Sequence, residues 1–386
     1  MWYQREISKK LSQLVSAYPA CILTGARQVG KTTLLKTLFP QYHFVSLDLP
    51  SNAELAEKQP QEFIKRYPPP VIIDEVQYAP ALFRHLKIWI DQNRQCYGQF
   101  LLTGSQKFTL MQNVSESLAG RCAVLELETL SQPEVLQGGH VALESLILRG
   151  GFPELHQRPE LDAATFYQSY VATYLERDLR ALLQVTHLRD FERFLRACAL
   201  RSGHPLNKAD LARDIGISQP TANQWLSVLQ ASNQITLLEP WFQNKTKSLI
   251  KSPKLYLSDS GLLCYFLGIN SRDELMRSPL IGSIWETFVF AELRKAQTVK
   301  YGKWDMWFWR NLRGLEADFL IHRGGLFDLL EAKFNEHPSV KDVQSLVKVA
   351  EDLGKGVKKM SVICRAPQSY PVTECVQAVP LLEVDV

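Results

Sequence analysis

Residues 20–38, "ACILTGARQVGKTTLLKTL", constrain this chain more than any other stretch. An apolar run meets a loop holding Gly25 and Gly30, followed at once by Lys31, Thr32 and a helical pattern, which is the spacing G-x-x-x-x-G-K-[ST]. A loop of this kind wraps backbone N–H groups around an anion. Its glycines permit close approach and φ values that other residues resist, and the next helix aims its positive N-terminus at the same charge. Lys31 is therefore expected at the β- and γ-phosphates of ATP. Thr32 is expected in the Mg²⁺ shell, with Thr33 beside it at the phosphate site. In a chain of 386 residues chance produces this spacing on the order of one time in a hundred.

Further apolar runs follow: "FVSLD" (44–48), "VIIDEV" (71–76), "QFLLTGS" (99–105) and "CAVLELE" (122–128), with a helix expected over about 80–94. Strands alternating with helical stretches predict a parallel, doubly wound α/β domain. An amphipathic helix over 6–18 precedes it, with Ile7, Leu11, Leu14 and Val15 on one face. Asp74 closes an apolar strand, where it can hold Mg²⁺, and Glu75 beside it can polarise an attacking water. Thr103 and Ser105 end another strand and are candidates to sense the γ-phosphate; satisfied turn hydroxyls are the alternative. Arg121, in "LAGRC", is a candidate arginine finger, with a solvated surface arginine as its rival.

Taken in order, "GARQVGKTTLL", "VIIDEVQ", "LLTGSQ", "SLAGR" and "RGGFPE" resemble the bacterial and archaeal AAA-type ATPases fused to a C-terminal domain of unknown function. "YLERDL" (174–179), "KSPKLYLSDSGLLCYFLGI" (251–269) and "IWETFV" (284–289) resemble that second domain. The resemblance implies an ASCE-type P-loop NTPase core with Lys31, Thr32, Asp74 and Glu75 in the roles above. It carries no settled biological function.

The middle of the chain changes character. Long helices are expected over 160–184 and 189–202, and "DLARDIGISQPTANQWLSVL" has a helix–turn–helix look, packed through Leu211, Ile215, Ile217, Trp225, Leu226 and Leu229. A DNA-reading version would present Ser218, Gln219, Thr221, Asn223 and Gln224 to a groove. Ser218–Ser232 holds no lysine or arginine, so phosphate contacts would have to come from a wing carrying Lys245, Lys247, Lys251 and Lys254. A solvated loop is the alternative for that segment, and a packing or partner-binding role is favoured over DNA reading for the helix pair.

At the far end, "EADFLIHRGGLFDLLEAK" (316–333) predicts two strands turning at Gly324–Gly325, which brings Asp318 near Glu331 and puts Glu331 and Lys333 on one face. An acid followed by Glu-x-Lys resembles the PD-(D/E)XK nuclease pattern. The resemblance implies a metal held by Asp318 and Glu331, with Lys333 alongside, a further acid at Glu286 and a glutamine at Gln344; Ala317 stands where that pattern usually has proline. A solvated hairpin ion pair is the ordinary alternative.

The expected fold class is thus α/β: an AAA-type P-loop domain over 1–155, a helical connector over 156–204, a winged-helix-like domain over 205–279, and a nuclease-like α/β domain over 280–386. The seven scattered cysteines show no metal-ligand spacing, and no apolar run nears the length of a membrane span, so a reducing, cytoplasmic setting is expected. The net charge of +4 is too mild to point to nucleic acid by itself. Expected cofactors are ATP and Mg²⁺. Candidate partners are DNA and another protein, and a homo-oligomer is a candidate assembly. Three functions compete: an ATPase acting as a conformational switch, an ATP-gated metal-dependent DNA nuclease, and a nucleotide-dependent binding module with little hydrolysis.

Overall fold

The computed structural model describes residues 2–105, 116–175, 188–241, 252–300 and 304–384. Most of "YLERDL" and the lysines 245, 247 and 251 fall outside these residues. The chain divides into two compact units, one of Met1–Leu130 with Phe152–Gln157 and Ala231–Asn233, the other of Ser131–Gly151, Arg158–Gln230 and Gln234–Val386.

The first unit is built on five strands: β1 (Ala20–Thr24), β2 (His43–Ser46), β3 (Val71–Asp74), β4 (Phe100–Gly104) and β5 (Cys122–Glu126). Their order is β2-β3-β4-β1-β5 and every pairing is parallel. β1, β3 and β4 are buried along their whole length, which explains why each reads as a continuous apolar run rather than an alternating one. Phe83, Leu86 and Ile90 of the helix Leu82–Gln92 pack on Ile22, Phe100 and Leu102. Each such side chain contributes roughly 1.5–3 kcal/mol when fully buried. Two helices unread in the sequence, Pro50–Lys58 and Pro60–Arg66, each open on a proline and connect β2 to β3.

This order makes β4 the neighbour of both β1 and β3, so the ends of three strands reach one edge together. Because the strands are parallel, the loop after β1, the acids after β3 and the hydroxyls after β4 all leave the sheet at its carboxyl edge.

In the second unit, the helices Lys208–Ile215 and Gln219–Ala231 meet at Gly216 (φ 83°) beside a small antiparallel sheet of β6 (His204–Pro205), β7 (Ile235–Leu238) and β8 (Lys254–Leu257), ordered β6-β8-β7. Leu211, Ile215, Trp225, Leu226 and Leu229 are buried as the spacing predicts, and Ile217 is half-buried. A six-stranded mixed sheet follows: β9 (Asp305–Arg310), β10 (Glu316–Arg323), β11 (Leu326–Ala332), β12 (Val357–Cys364), β13 (Tyr370–Pro371) and β14 (Val376–Pro380), ordered β13-β14-β12-β11-β10-β9. Val343, Leu346 and Val349 of the helix Val340–Leu353 cover one face through Leu320, Leu329 and Val362. On the other face, Phe290 of the helix Ile281–Val299 stacks on Phe319, and Trp285 Nε1 donates to the Ile363 carbonyl at 3.2 Å. Gly324 and Gly325 both take positive φ (56° and 84°), the turn that matches the twist of a two-residue hairpin.

Candidate functional site

β1 feeds directly into the glycine loop. Gly25 has φ 140°, and a Cβ there would lie 2.2 Å from the Leu127 carbonyl oxygen, so the site accepts only glycine. Gly30 (φ 93°) opens the helix Lys31–Leu38 with no side-chain cap and with open space beside it. Lys31 is buried, its Nζ donating to the carbonyls of Gly25 (3.0 Å) and Ala26 (2.8 Å), so the ammonium curls back over the loop. Thr33, one position on from Thr32, is exposed.

Two hydroxyls converge on one oxygen at the end of β3. Thr32 Oγ1 and Thr103 Oγ1 each donate to Asp74 Oδ1 at 2.6 Å, and Ser46 Oγ donates to Oδ2 at 3.4 Å. Glu75 sits next to it in the left-handed region (φ 55°, ψ 48°), a conformation that costs a non-glycine residue about 1–2 kcal/mol. Its N–H donates to Thr103 Oγ1 at 3.1 Å; its carboxylate accepts from Ser105 Oγ at 3.1 Å and, at short range, from Gln77 Nε2. Three segments, after β1, β3 and β4, therefore bring Gly25, Gly30, Lys31, Thr32, Asp74, Glu75, Thr103 and Ser105 to one edge. Ser46 and Gln77 were not singled out in the sequence, where nothing distinguishes them from turn residues.

Arg121 does not join them. Cys122 pairs with Ala20, so Arg121 precedes its strand while the glycine loop follows β1, and the two lie at opposite edges of the sheet. Five residues of strand separate them, roughly 16 Å. Arg121 instead forks onto Asp91, with Nε to Oδ1 at 2.8 Å and Nη2 to Oδ2 at 3.0 Å, and this holds the Asp91 carboxyl below its ordinary range. As an arginine finger for its own subunit's site, Arg121 is corrected.

The second unit gathers another set. The β10–β11 register pairs Phe319 with Leu330, which sets Asp318 opposite Glu331. Asp318 Oδ2 accepts from the Ala332 N–H at 3.0 Å, and Lys333 Nζ meets Glu331 Oε1 at 2.9 Å. Glu286 comes in from the helix Ile281–Val299. Gln344 stays exposed on the helix Val340–Leu353 and takes no part. Between the acids stands a residue the sequence grouped with a phosphate-contacting wing or a solvated loop. Lys254, on β8, is 1% exposed, and its Nζ contacts Glu286 Oε1 (2.8 Å), Asp318 Oδ1 (3.0 Å) and Glu316 Oε1, the last at short range. Lys254 is thus no wing residue. Tyr256, two positions on and so on the same face of β8, donates to Glu286 Oε1 at 2.6 Å.

Burial first, and Asp318 second, push the Glu286 carboxyl up to about 7 and Glu331 up to about 8. Burial opposes the charge of Lys254, but Glu286, Tyr256, Asp318 and Glu316 outweigh it and hold the ammonium well above its usual range. The cation is the state that the geometry favours, because three carboxylates surround it. Among the described residues, no group of three or more His, Cys, Asp or Glu is disposed to hold a metal ion. No described helix is long and apolar enough to cross a membrane.

The parallel five-stranded sheet and its glycine loop define a P-loop ATPase core. Residues 17–136 match the AAA domain family, residues 141–273 match a domain of unknown function (DUF8612), and residues 281–384 match another (DUF4143). Uncharacterized protein Rv2008c of Mycobacterium tuberculosis and uncharacterized protein Mb2031c of Mycobacterium bovis are each 31% identical over 381 residues, covering 98% of this chain and 83% of theirs. The chain belongs to the same family as these two proteins. Among solved structures it is similar to the Walker-type ATPase Paby2304 of Pyrococcus abyssi, with 17% identity and a TM-score of 0.48 over 69% of this chain and 96% of that one. It is also similar to the RuvB Holliday junction branch migration motor of Thermotoga maritima, with 16% identity and a TM-score of 0.31 over 61% and 90%.

Proposed function

We propose that the N-terminal unit binds ATP with Mg²⁺ and hydrolyses it, and that this turnover drives a conformational switch acting on DNA. One observation carries the reading: the Thr32 hydroxyl and the Asp74 carboxylate, from two different loops, already lie 2.6 Å apart. Oxygen-only donors of this kind suit Mg²⁺, so Thr32 and Asp74 would hold it, and it would supply neutralisation of charge on the β- and γ-phosphates. Gly25, Gly30 and the amides between them cradle the phosphates, with Thr33 at the start of the helix. Lys31 exchanges its two loop carbonyls for phosphate oxygens. Glu75, oriented by Ser105 and Gln77, positions the attacking water and accepts its proton.

Thr103 on Asp74 and Ser105 on Glu75 tie the end of β4 to both acids. Loss of the γ-phosphate would be felt there, which supports a switch. In this reading Arg121 acts on nucleotide only when supplied to a second copy of the chain.

DNA is favoured as the target by the helix Gln219–Ala231, which exposes Gln219, Asn223, Gln224, Ser227 and Gln230, side chains suited to base edges. Arg189, Arg193 and Arg196 are exposed along the helix Leu188–Ala199 at a spacing that shares one face, and suit phosphates. Phosphate release by the full chain, measured with and without duplex DNA, tests both parts. Magnesium-dependent turnover removed by Lys31→Ala and raised by DNA is expected; turnover that Lys31→Ala leaves intact contradicts the site.

A further inference from the structure

The resemblance of the C-terminal hairpin to metal-dependent nucleases implies a divalent cation at Asp318 and Glu331. The side chains present do not fit one. A lysine ammonium has three N–H donors, and those of Lys254 face three acceptors, Glu286 Oε1 at 2.8 Å, Asp318 Oδ1 at 3.0 Å and Glu316 Oε1. Magnesium binds its oxygens at about 2.0–2.1 Å and calcium at about 2.3–2.6 Å, so an ion held jointly by Glu286, Glu316 and Asp318 Oδ1 would need the place that Nζ holds. Vacating it means withdrawing a side chain that is 1% exposed. Asp318 Oδ1 faces the Lys254 ammonium and Oδ2 takes the Ala332 N–H. Of the hairpin pair this leaves Glu331 Oε2, buried and without a hydrogen-bond partner. One oxygen makes a poor divalent site.

Charge points the same way. Glu286, Glu316, Asp318 and Glu331 face the cations Lys254, Lys333 and Arg310, the last donating to Glu316 Oε2 at 2.9 Å. Three cations thus already stand among the four carboxyl groups, and a divalent ion would bring two further positive charges among them.

We infer that this carboxylate cluster is a cation site that the protein fills with its own Lys254 ammonium, and that the C-terminal unit takes up no divalent metal for cleavage. The ammonium comes from the region matching one domain of unknown function, while Glu286, Glu316 and Asp318 belong to the other. Lys254 therefore staples two sequence families into one folded unit. Removing it leaves Asp318, which is buried, and the part-buried Glu286 and Glu316 facing one another without their cation, which is destabilising.

The test is manganese(II) binding to the full-length protein without nucleotide, read by the EPR signal of the free ion, together with thermal melting. Wild type and Asp318→Asn should take up manganese equally. Lys254→Ala should melt lower, and manganese should restore part of that loss, but not in Lys254→Ala/Asp318→Asn. Manganese bound by wild type and lost in Asp318→Asn overturns the inference, as does a folded Lys254→Ala that manganese leaves unrescued. Should Lys254→Ala fail to fold, the comparison of wild type with Asp318→Asn decides alone.

Discussion

The Thr32 hydroxyl lies 2.6 Å from Asp74 Oδ1, so the first turn after the glycine loop is bonded to the end of β3. Thr103 donates to the same oxygen at 2.6 Å. Thr32→Val keeps the shape and removes one of the two donors along with a magnesium ligand. The account expects magnesium-dependent turnover to fall by at least about tenfold while melting drops by only about 1 kcal/mol, because Thr103 still satisfies Asp74. Turnover and calorimetric melting on one preparation check both halves.

Glu75 stands at φ 55°. Glu75→Gln should keep ATP affinity while lowering turnover about 10²–10⁴-fold, the usual worth of a positioned base. Glu75→Gly should be as inactive yet melt higher, since glycine enters the left-handed region freely. A Gly variant that melts lower would show that the bonds from Ser105 and Gln77 outweigh the strain.

Gly25→Ala places a Cβ 2.2 Å from the Leu127 carbonyl oxygen, a backbone atom that cannot swing aside. Both the positive φ and the clash oppose it. A loss of roughly 1–3 kcal/mol or more in stability is expected, with ATP affinity reduced in whatever protein still folds. Denaturant unfolding measures the first and calorimetry the second.

The C-terminal cluster predicts a pH dependence. An unfolded glutamate releases its proton near 4.5, whereas Glu331 holds it to about 8 and Glu286 to about 7. Between those values the folded chain binds more protons than the unfolded one, so this part of the stability falls as pH rises and levels off above about 8. Lys254 and Lys333 are raised from 10.5, so their contribution is present throughout that window and is lost only above it. Glu331→Gln, which has no proton to lose, should gain on wild type in melting temperature as pH rises from about 5 to about 9. A constant difference across that range would contradict the assignment.

Much of the first unit is legible in the sequence because its physics is local. A phosphate cradle fixes glycine, lysine and threonine at set spacings, and strands buried on both faces must be apolar throughout, as in "ACILT" and "VIID". Gly324–Gly325 likewise fixes the hairpin register, and with it Asp318 opposite Glu331. Lys254 is illegible for the opposite reason. Its partners Glu286 and Asp318 lie 32 and 64 residues away, and beside other lysines it reads as one more solvated charge. The position of Arg121 is legible as well: it precedes its strand, and in a parallel sheet that alone sends it to the edge away from the loop of its own subunit.

The most direct measurement is calorimetric titration of ATP with magnesium into the purified full-length chain and into Lys31→Ala. The account predicts one saturable site per chain in the wild type and none in the variant, since the ammonium now resting on the Gly25 and Ala26 carbonyls is the one that meets the phosphates. No heat of binding in the wild type, or equal binding by the variant, would contradict it.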